Sequence, residues 1–292
     1  MFRKVELDRY TRERIATPDD DFLDIDWLQA GADKLVIISH GLEGNTQRPY
    51  VRGMARAAAA HGFDVLAWNY RGCSETLNHQ RRFYHSGATD DLAVVVNHAH
   101  QLQRYREICL VGFSLGGNLT LKYLGEPRNV PSTIARAAVF SVPMDLKTSC
   151  EQISKPQNWI YARRFLRSLK EKVSKKAMVM PDIDVTNLHQ IKTLTAFDDR
   201  YTAPLHGYRD AADYYEQCSA NRFVMNIHVP ALIVNAKNDP FLSPECYPVE
   251  RLRNHPCVSL EAPDHGGHVG FVSINAKGHY WSEQRAMSFL SA

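Results

Sequence analysis

The sequence predicts an α/β protein with a mostly parallel central sheet, helices on both faces and a helical cap insertion. From Lys34 onward, short apolar segments typical of strands buried on both faces alternate with segments of helical periodicity. About ninety residues between Phe140 and Ala231 interrupt this alternation, although connections in such sheets are usually far shorter. We therefore expect a single domain over residues 1–292, with a cap at about residues 145–225.

Composition and charge exclude several classes of protein. Hydrophobic residues make up 44% and charged residues 23% of the chain, as in folded globular proteins, and a net charge of +3 gives no reason to expect nucleic-acid binding. No apolar run is long enough to span a membrane, and residues 1–6 lack the apolar stretch of a secretory signal. The six cysteines form no C-x-x-C pair, which indicates reduced thiols and a cytoplasmic protein.

The first predicted element is an antiparallel hairpin at an edge of the sheet. Residues 12–16 and 22–28 have the composition of strands, and the polar residues 17–21 form the turn between them. Asp24 and Asp26 share one face of the second strand. Aspartates in such a position are more often solvated than bound to a metal.

Strands and helices then alternate along the chain. The predicted strands are residues 35–39, 64–68, 108–111, 137–140, 231–235 and 258–261. The predicted helices are residues 50–61, 89–105, 118–124, 244–254 and 279–290. This order gives parallel strands covered on both faces, and ligands bind beyond the carboxyl ends of such strands.

One amphipathic helix is predicted inside the insertion, after Pro156. Its apolar residues recur at spacings of three and four and are expected to pack over the upper edge of the sheet; they are Trp159, Ala162, Leu166, Leu169 and Val173. Its other face is basic, with Arg163, Arg164, Arg167, Lys170, Lys172, Lys175 and Lys176 around the single acid Glu171. A charge run of this kind usually marks a solvated helix face. The alternative is a weak contact with anionic lipid.

The strongest functional signal lies between a predicted strand and the helix that follows it. Residues 112–116 match the pattern G-x-S-x-G at this turn, which is the context that makes the motif informative. A serine in so tight a turn is strained, and Gly112 and Gly116 avoid collisions with the neighbouring strand and helix. Ser114 is therefore the candidate nucleophile.

A serine hydroxyl needs a base, and the base needs an acceptor that fixes its tautomer. Asp239 follows a predicted strand and is the candidate acid, with Asp145 as the alternative. The loop after the last strand offers His265 and His268. We prefer His268 because glycines flank it and a hydrophobic segment follows it.

Backbone amides at two strand ends could stabilise an oxyanion. Leu115 opens a predicted helix, where its N–H has no intrahelical acceptor, and Leu42 follows the first parallel strand. Residues 41–46 do not form a phosphate loop, because such a loop has a lysine after its last glycine and none follows Gly44. The H-x-x-H at residues 265–268, taken with His255 or Cys257, also lacks the spacing of a zinc site. The sequence thus indicates no metal and no cofactor.

With these residues placed, the chain resembles the YheT-like branch of the α/β-hydrolases, a group that is similar to the mammalian α/β-hydrolase-domain lipases. The resemblance runs from about Arg12 nearly to the end of the chain. It is carried by the stretches at residues 40–42, 49–52, 69–74, 112–118, 197–200, 203–208, 238–240 and 266–271. One position departs from the group's pattern, because Glu75 stands where a glycine is expected.

This resemblance implies an α/β-hydrolase fold with a triad of Ser114, Asp239 and His268. It further implies hydrolysis of carboxylic esters, either short-chain or acylglycerol-like, without a cofactor, and a small-molecule ester as the partner. Two alternatives stay open: a thioesterase or phospholipase with the same residues, and a binding protein that keeps the fold without turnover. The sequence leaves the oligomeric state undetermined.

Overall fold

A computed structural model describes residues 3–7, 9–273 and 278–292. Met1 and Phe2, on which part of the expectation about a secretory signal rests, lie outside the described residues. Within them, one sheet contains the strands β1 (Thr11–Thr17), β2 (Asp21–Leu28), β3 (Lys34–Ser39), β4 (Asp64–Asn69), β5 (Glu107–Phe113), β6 (Ile134–Phe140), β7 (Ala231–Val234) and β8 (Val258–Glu261).

The sheet confirms the predicted α/β class. Its strand order is β1-β2-β4-β3-β5-β6-β7-β8. β1 pairs with β2, and β2 with β4, in antiparallel sense, whereas the remaining pairs are parallel. The hairpin therefore occupies one edge, and the carboxyl ends of β3 to β8 point to a common edge.

Helices cover both faces of the sheet. Their bounds outside the long insertion are α1 (Pro49–Ala60), α2 (Thr89–Gln101), α3 (Leu115–Gly125), α9 (Val249–Leu252) and α10 (Trp281–Leu290). Side chains of β3 alternate between the faces, because successive residues of a strand point to opposite sides. Leu35 and Ile37 join the core formed with α2 and α3, whereas Val36 and Ile38 join the core formed with α1 and α10.

Two predicted helices end differently in the structure. The helix predicted over residues 89–105 stops at Gln101, and Gln103 adopts a left-handed φ of 53°, a conformation in which helices commonly terminate. The helix predicted over residues 244–254 is instead a short 3₁₀ turn, Pro244–Cys246, followed by α9. Pro248 separates them, because proline lacks an N–H and disfavours a helical conformation in the residue before it.

The aspartates of β2 are buried, so the expectation that they are solvated was wrong. Asp24 and Asp26 are almost inaccessible to solvent. Arg14 reaches across the hairpin to Asp24 at 2.8 Å, and Arg12 forms an ion pair with Asp26. Cross-strand pairing with arginines therefore replaces water around these carboxylates.

The inserted segment, residues 141–230, contains the remaining helices. They are α4 (Leu146–Ile153), α5 (Trp159–Ala177), α6 (Leu194–Phe197), α7 (Ala203–Leu205) and α8 (Ala211–Cys218), with a π-helical turn, Asp198–Thr202, between α6 and α7. Leu166 and Val173 of α5 pack with Leu194, Phe197 and Tyr201 in a hydrophobic cluster that also contains Phe83, from outside the insertion. None of the helices in the described part of the chain combines the length and apolar character needed to cross a bilayer.

The structure corrects two expectations about α5. Trp159 does not belong to the buried stripe, since it is 57% exposed. Lys172 and Lys176 do not belong to a solvated basic face. Their side chains donate to Glu43 and to Asn78, which lie outside the inserted segment. Lys176 donates to the carbonyl oxygens of Asn78 and Gln80, both at 2.6 Å.

Candidate active site

Ser114 lies at the sharp turn between β5 and α3. Its φ of 52° and ψ of −119° place a non-glycine residue in a rarely populated conformation. The Ser114 N–H donates to Phe140 O at 2.9 Å, which ties the turn to the neighbouring strand. Backbone strain held in this way by the surrounding structure is typical of functional positions.

The two glycines of the motif are required by close backbone approaches. A Cβ atom on Gly112 would lie 2.5 Å from Gly116 O, and one on Gly116 would lie 2.4 Å from Ser39 O. Neither separation is possible without moving the main chain, so the steric reason inferred from the sequence agrees with the structure.

His268 and Asp239 meet Ser114 at the carboxyl edge of the sheet. His268 Nε2 lies 2.9 Å from Ser114 Oγ, and His268 Nδ1 lies 2.9 Å from Asp239 Oδ2 and 3.1 Å from Oδ1. The Asp239 side chain is fully buried and that of His268 is 17% exposed. A buried carboxylate on Nδ1 favours the tautomer that leaves Nε2 free to accept the serine proton.

Polar side chains accept hydrogen bonds from the main chain of the loop that carries the histidine. Asn238 Oδ1 accepts from the N–H groups of Gly266 and Gly267, at 3.0 and 2.8 Å. Val269 N–H donates to Ser141 Oγ at 2.9 Å. The ring of Phe241 lies 4.4 Å from that of His268, between their centroids. These contacts hold the residues on both sides of His268 and place an aromatic ring against its imidazole.

The alternative residues occupy other positions. His265 is exposed and lines a surface depression with Asn238 and Trp281, not the cavity that contains Ser114. Asp145 caps α4, because its carboxylate accepts from the N–H and the hydroxyl of Thr148 at 2.9 and 2.8 Å. Glu75 pairs with Arg12 at the surface and does not line the cavity beside Ser114.

Leu42 and Leu115 both line the cavity that contains Ser114. Leu115 is the first residue of α3, where N–H groups have no intrahelical acceptor. The loop before Leu42 lies against the serine, since a Cβ atom on Gly41 would be 3.2 Å from Ser114 Cβ. Gly41 N–H donates to the hydroxyl of Tyr50 at 2.9 Å, which anchors this loop.

Sequence analysis missed a group of side chains next to this loop. Glu43 accepts from Lys172 at 2.7 Å, from Ser168 at 2.5 Å and from Tyr84 at 2.7 Å. Lys172 and Ser168 belong to α5, so the inserted segment contacts the loop that bears Leu42. The charged face of α5 gave no signal for these contacts, because its lysines were indistinguishable from solvated ones.

The cavity between Ser114 and the inserted segment is small and has two kinds of lining. Its volume is about 100 Å³. Its apolar lining is formed by Leu42, Leu115, Leu146, Ile153, Leu169 and Leu194. Polar side chains from the π-helical turn and α8 form another part, among them Asp198, Thr202 and Tyr215.

This arrangement has the parts that acyl transfer requires. The Ser114 hydroxyl lies within hydrogen-bond distance of the His268 imidazole, and the imidazole contacts the buried Asp239 carboxylate. The backbone amide of Leu115 follows the serine directly. The same geometry supports general-base removal of the Ser114 proton by His268. These residues occur in the order serine, acid, histidine along the chain.

Comparisons with known proteins agree with this fold. A family model described as alpha/beta hydrolase fold matches residues 34–273. YheT of Escherichia coli (strain K12), named as a candidate esterase, is 34% identical, covering 99% of this chain and 86% of that protein. Phospholipase ABHD3 of Bos taurus is 31% identical, covering 91% of this chain and 67% of that protein.

A solved structure shows the same fold at much lower sequence identity. The Pyrococcus furiosus esterase Pf2001 superposes with a TM-score of 0.66 and 19% identity, covering 97% of this chain and 90% of that one. The family match and the extent of the similarity to YheT together settle the classification. This chain belongs to the α/β-hydrolase fold family, and within it to the YheT-like group.

Proposed function

We propose that this protein hydrolyses carboxylic esters through a covalent acyl-enzyme on Ser114. The observation that carries the proposal is a pair of contacts made by His268. Its Nε2 lies 2.9 Å from Ser114 Oγ, and its Nδ1 lies 2.9 Å from Asp239 Oδ2. Membership of a hydrolase family and the names of the relatives support ester cleavage in general.

In the proposed reaction, Ser114 Oγ attacks the carbonyl carbon of the ester while His268 Nε2 takes the proton of the serine hydroxyl. Asp239 stabilises the imidazolium that forms, and the N–H groups of Leu42 and Leu115 donate to the tetrahedral oxyanion. His268 then gives the proton to the departing alcohol, which leaves the acyl group on Ser114. A water molecule, deprotonated by His268, attacks this acyl group and releases the carboxylic acid.

The cavity favours substrates with a small acyl group. Its volume of about 100 Å³ is below the range of about 300 to 1,000 Å³ that is usual for ligand pockets. A short-chain ester therefore fits the cavity as it stands, and an acylglycerol-like lipid fits if its longer arm extends towards the opening. Apolar walls beside Ser114 favour a hydrocarbon stem over a charged one.

Two other functions use the same residues or the same fold. A thioesterase or phospholipase would employ an identical nucleophile, and the name of the bovine relative supports the phospholipase. A binding protein without turnover is less well supported, because a pure binder has no need of a strained serine aligned with a histidine.

We also propose that the inserted segment acts as a cap on a single domain and touches anionic lipid weakly. Residues 159–161 at the start of α5 are among the most exposed large apolar side chains, at 57%, 62% and 49%. Arg163, Arg164, Arg167 and Lys175 are exposed on the same helix. The Tyr161 ring lies 5.0 Å from Phe241, which contacts His268, so this surface borders the candidate site.

The remaining parts of the proposal concern location and partner. All six cysteines are free, which supports a reducing, cytoplasmic environment. The proposed partner is a small-molecule ester, without a cofactor or nucleic acid.

Hydrolysis of a series of aryl esters tests the proposed function. Acetate, butyrate, octanoate and palmitate esters of one phenol are compared with the thioester of the butyrate and with a phospholipid. Turnover that is highest for acetate or butyrate and absent in Ser114→Ala supports the short-chain esterase. Turnover of the thioester or phospholipid above all esters favours the alternative enzyme, and no turnover by the folded protein favours the binding protein.

A further inference from the structure

Asp198 is a carboxylate of the inserted segment that lines the same cavity as Ser114. It begins the π-helical turn Asp198–Thr202, and π-helical turns within helical segments frequently occur at functional sites. The hydrolytic mechanism assigns no role to this residue, although it belongs to one of the stretches that carry the family resemblance.

The partners of Asp198 leave part of its hydrogen-bonding capacity unused. Thr202 Oγ1 donates to Asp198 Oδ1 at 2.5 Å, and the Tyr215 hydroxyl donates to Oδ2 at 2.7 Å. An ionised carboxylate offers about four acceptor sites. Among the residues that the structure describes, no lysine, arginine or histidine forms an ion pair with Asp198.

The charge on Asp198 is therefore incompletely compensated by the protein. Burial raises the pKa of Asp198 to about 6, partly offset by the hydroxyls of Thr202 and Tyr215. At neutral pH the side chain is mostly ionised and accepts hydrogen bonds without donating any. A carboxylate with free acceptor sites in a cavity is stabilised by a ligand that donates to it.

The rest of the cavity determines what kind of ligand this is. Leucine and isoleucine side chains line the cavity that Ser114 and Asp198 share, so the ligand needs an apolar part. Thr202 and Tyr215 already direct their protons at Asp198, so a group arriving beside them meets acceptor oxygens. A hydroxyl or ammonium group on a short chain satisfies both requirements, whereas a methyl or an ether oxygen does not.

We propose that Asp198 is a specificity-determining residue that accepts a hydrogen bond from a donor group on the short acyl arm of the ester. The preferred substrates are then short acyl esters that carry a hydroxyl or ammonium group, rather than plain fatty acyl esters. This proposal rests on the proposed function, because it concerns the acyl group that Ser114 receives.

Matched acyl groups test the proposal. The full chain and its Asp198→Asn variant are assayed with aryl esters of butyrate, β-hydroxybutyrate, β-aminobutyrate and β-methoxybutyrate. Loss of one hydrogen bond to a charged acceptor corresponds to about a ten- to hundredfold change in kcat/KM. The wild type should prefer the hydroxy or the amino ester over the methoxy ester by this factor, and Asp198→Asn, which keeps an acceptor oxygen but loses the charge, should reduce this ratio of kcat/KM values.

A neighbouring carboxylate provides the control. Asp199 lies on the same turn but is exposed, does not line the cavity and accepts from the Ala211 N–H at 2.7 Å. Asp199→Asn should keep the preference of the wild type. Preference for the hydroxy ester identifies a neutral donor, and preference for the amino ester identifies a cation.

Three outcomes would overturn the proposal. Equal kcat/KM for all four esters in the wild type would remove its basis, as would a preference for the hydroxy or amino ester over the methoxy ester that is unchanged in Asp198→Asn. Both results leave hydrolysis by Ser114 intact. If the folded wild type hydrolyses none of the esters, the proposed function is wrong and the assignment of Asp198 falls with it.

Discussion

Lys172 of α5 donates a hydrogen bond of 2.7 Å to the carboxylate of Glu43, the residue that follows Leu42. Their side chains are only 11% and 8% exposed. Burial alone would raise the pKa of Glu43, but the charge and hydrogen bond of Lys172 outweigh it, so that the pKa lies below its usual range. The inserted segment is thus joined to the loop that bears Leu42 by a buried ion pair.

We predict that Lys172→Met lowers both stability and activity. Removing one partner of a buried pair leaves the other charge uncompensated, which typically costs about 3 to 5 kcal/mol of unfolding free energy. Release of Glu43 should also displace the Leu42 N–H and reduce kcat, by about a hundredfold if the donor is lost completely. Urea unfolding and ester turnover measure the two effects.

The matched control for Lys172→Met is Arg167→Met on the same helix. Arg167 pairs with Glu171 at the surface, where its side chain is 81% exposed, and exposed pairs contribute little to stability. Adding Glu43→Gln to Lys172→Met should restore part of the lost stability. Equal destabilisation by Lys172→Met and Arg167→Met would show that the buried pair has no special role.

Asp239→Asn should abolish most activity without unfolding the protein. The amide has the size of the carboxylate but no charge, and it permits the wrong tautomer of His268, for which a fall in kcat of about a thousandfold or more is expected. Asp264→Asn is the control, because Asp264 pairs with Lys237 at the surface near the same loops. A folded Asp239→Asn with near wild-type kcat would exclude Asp239 as the acid.

Asp198 should make stability depend on pH in a defined direction. Burial, and to a smaller extent the charge of Asp199, raises the pKa of Asp198 to about 6, above the value of about 4 for an unfolded aspartate. The folded state therefore holds the proton more tightly, and the group destabilises the protein progressively as pH rises from about 4 to about 6. Above that range the cost is at most about 3 kcal/mol.

Asp198→Asn removes this cost, so its stability relative to the wild type should increase between about pH 5 and pH 8, by about 1 kcal/mol. Tyr214, Tyr215 and Cys150 also face Asp198, but burial raises the pKa of each above this range. Urea unfolding at both pH values measures the difference, with Asp199→Asn as the comparison. If the unfolding free energy of Asp198→Asn minus that of the wild type stays constant or falls as pH rises, the pKa of Asp198 is not raised.

The exposed basic side chains of α5 should bind anionic vesicles. A double change of Arg163 and Arg164 to Gln should weaken co-sedimentation with phosphatidylserine-containing vesicles by about fivefold per charge, since each basic residue near such a surface contributes about 1 kcal/mol. Changing Arg251 of α9 and Arg253 directly after it to Gln removes the same charge from another helix. Equal loss with both pairs would indicate nonspecific attraction rather than docking through α5.

Local rules in the sequence predict several residues that the structure brings together at the carboxyl edge of the sheet, and their catalytic roles stay predictions. G-x-S-x-G locates Ser114 because only glycine tolerates the contacts at residues 112 and 116. Asp239 and His268 were identifiable because parallel strands end at one edge of the sheet. The choice of His268 over His265 rested on flanking residues, and the structure gives its physical basis in the Val269 to Ser141 hydrogen bond.

Long-range side-chain contacts could not be predicted in the same way. Lys172 and Lys176 have the sequence signature of solvated lysines, and only the packing of α5 over the core brings them to Glu43 and to the carbonyl of Asn78. Asp24 and Asp26 were misjudged for the same reason, because their arginine partners lie on another strand. Asp198 reaches the cavity through a π-helical turn, which no periodicity in the sequence reveals.

Labelling with a fluorophosphonate, followed by mass spectrometry of the intact protein and its peptides, tests the central claim most directly. The reagent reacts with serines that a neighbouring base activates. We predict one adduct per chain, located on Ser114, absent in Ser114→Ala and much slower to form in Asp239→Asn. A folded wild-type protein that forms no adduct, or an adduct that persists in Ser114→Ala, would contradict the assignment of Ser114 as an activated nucleophile.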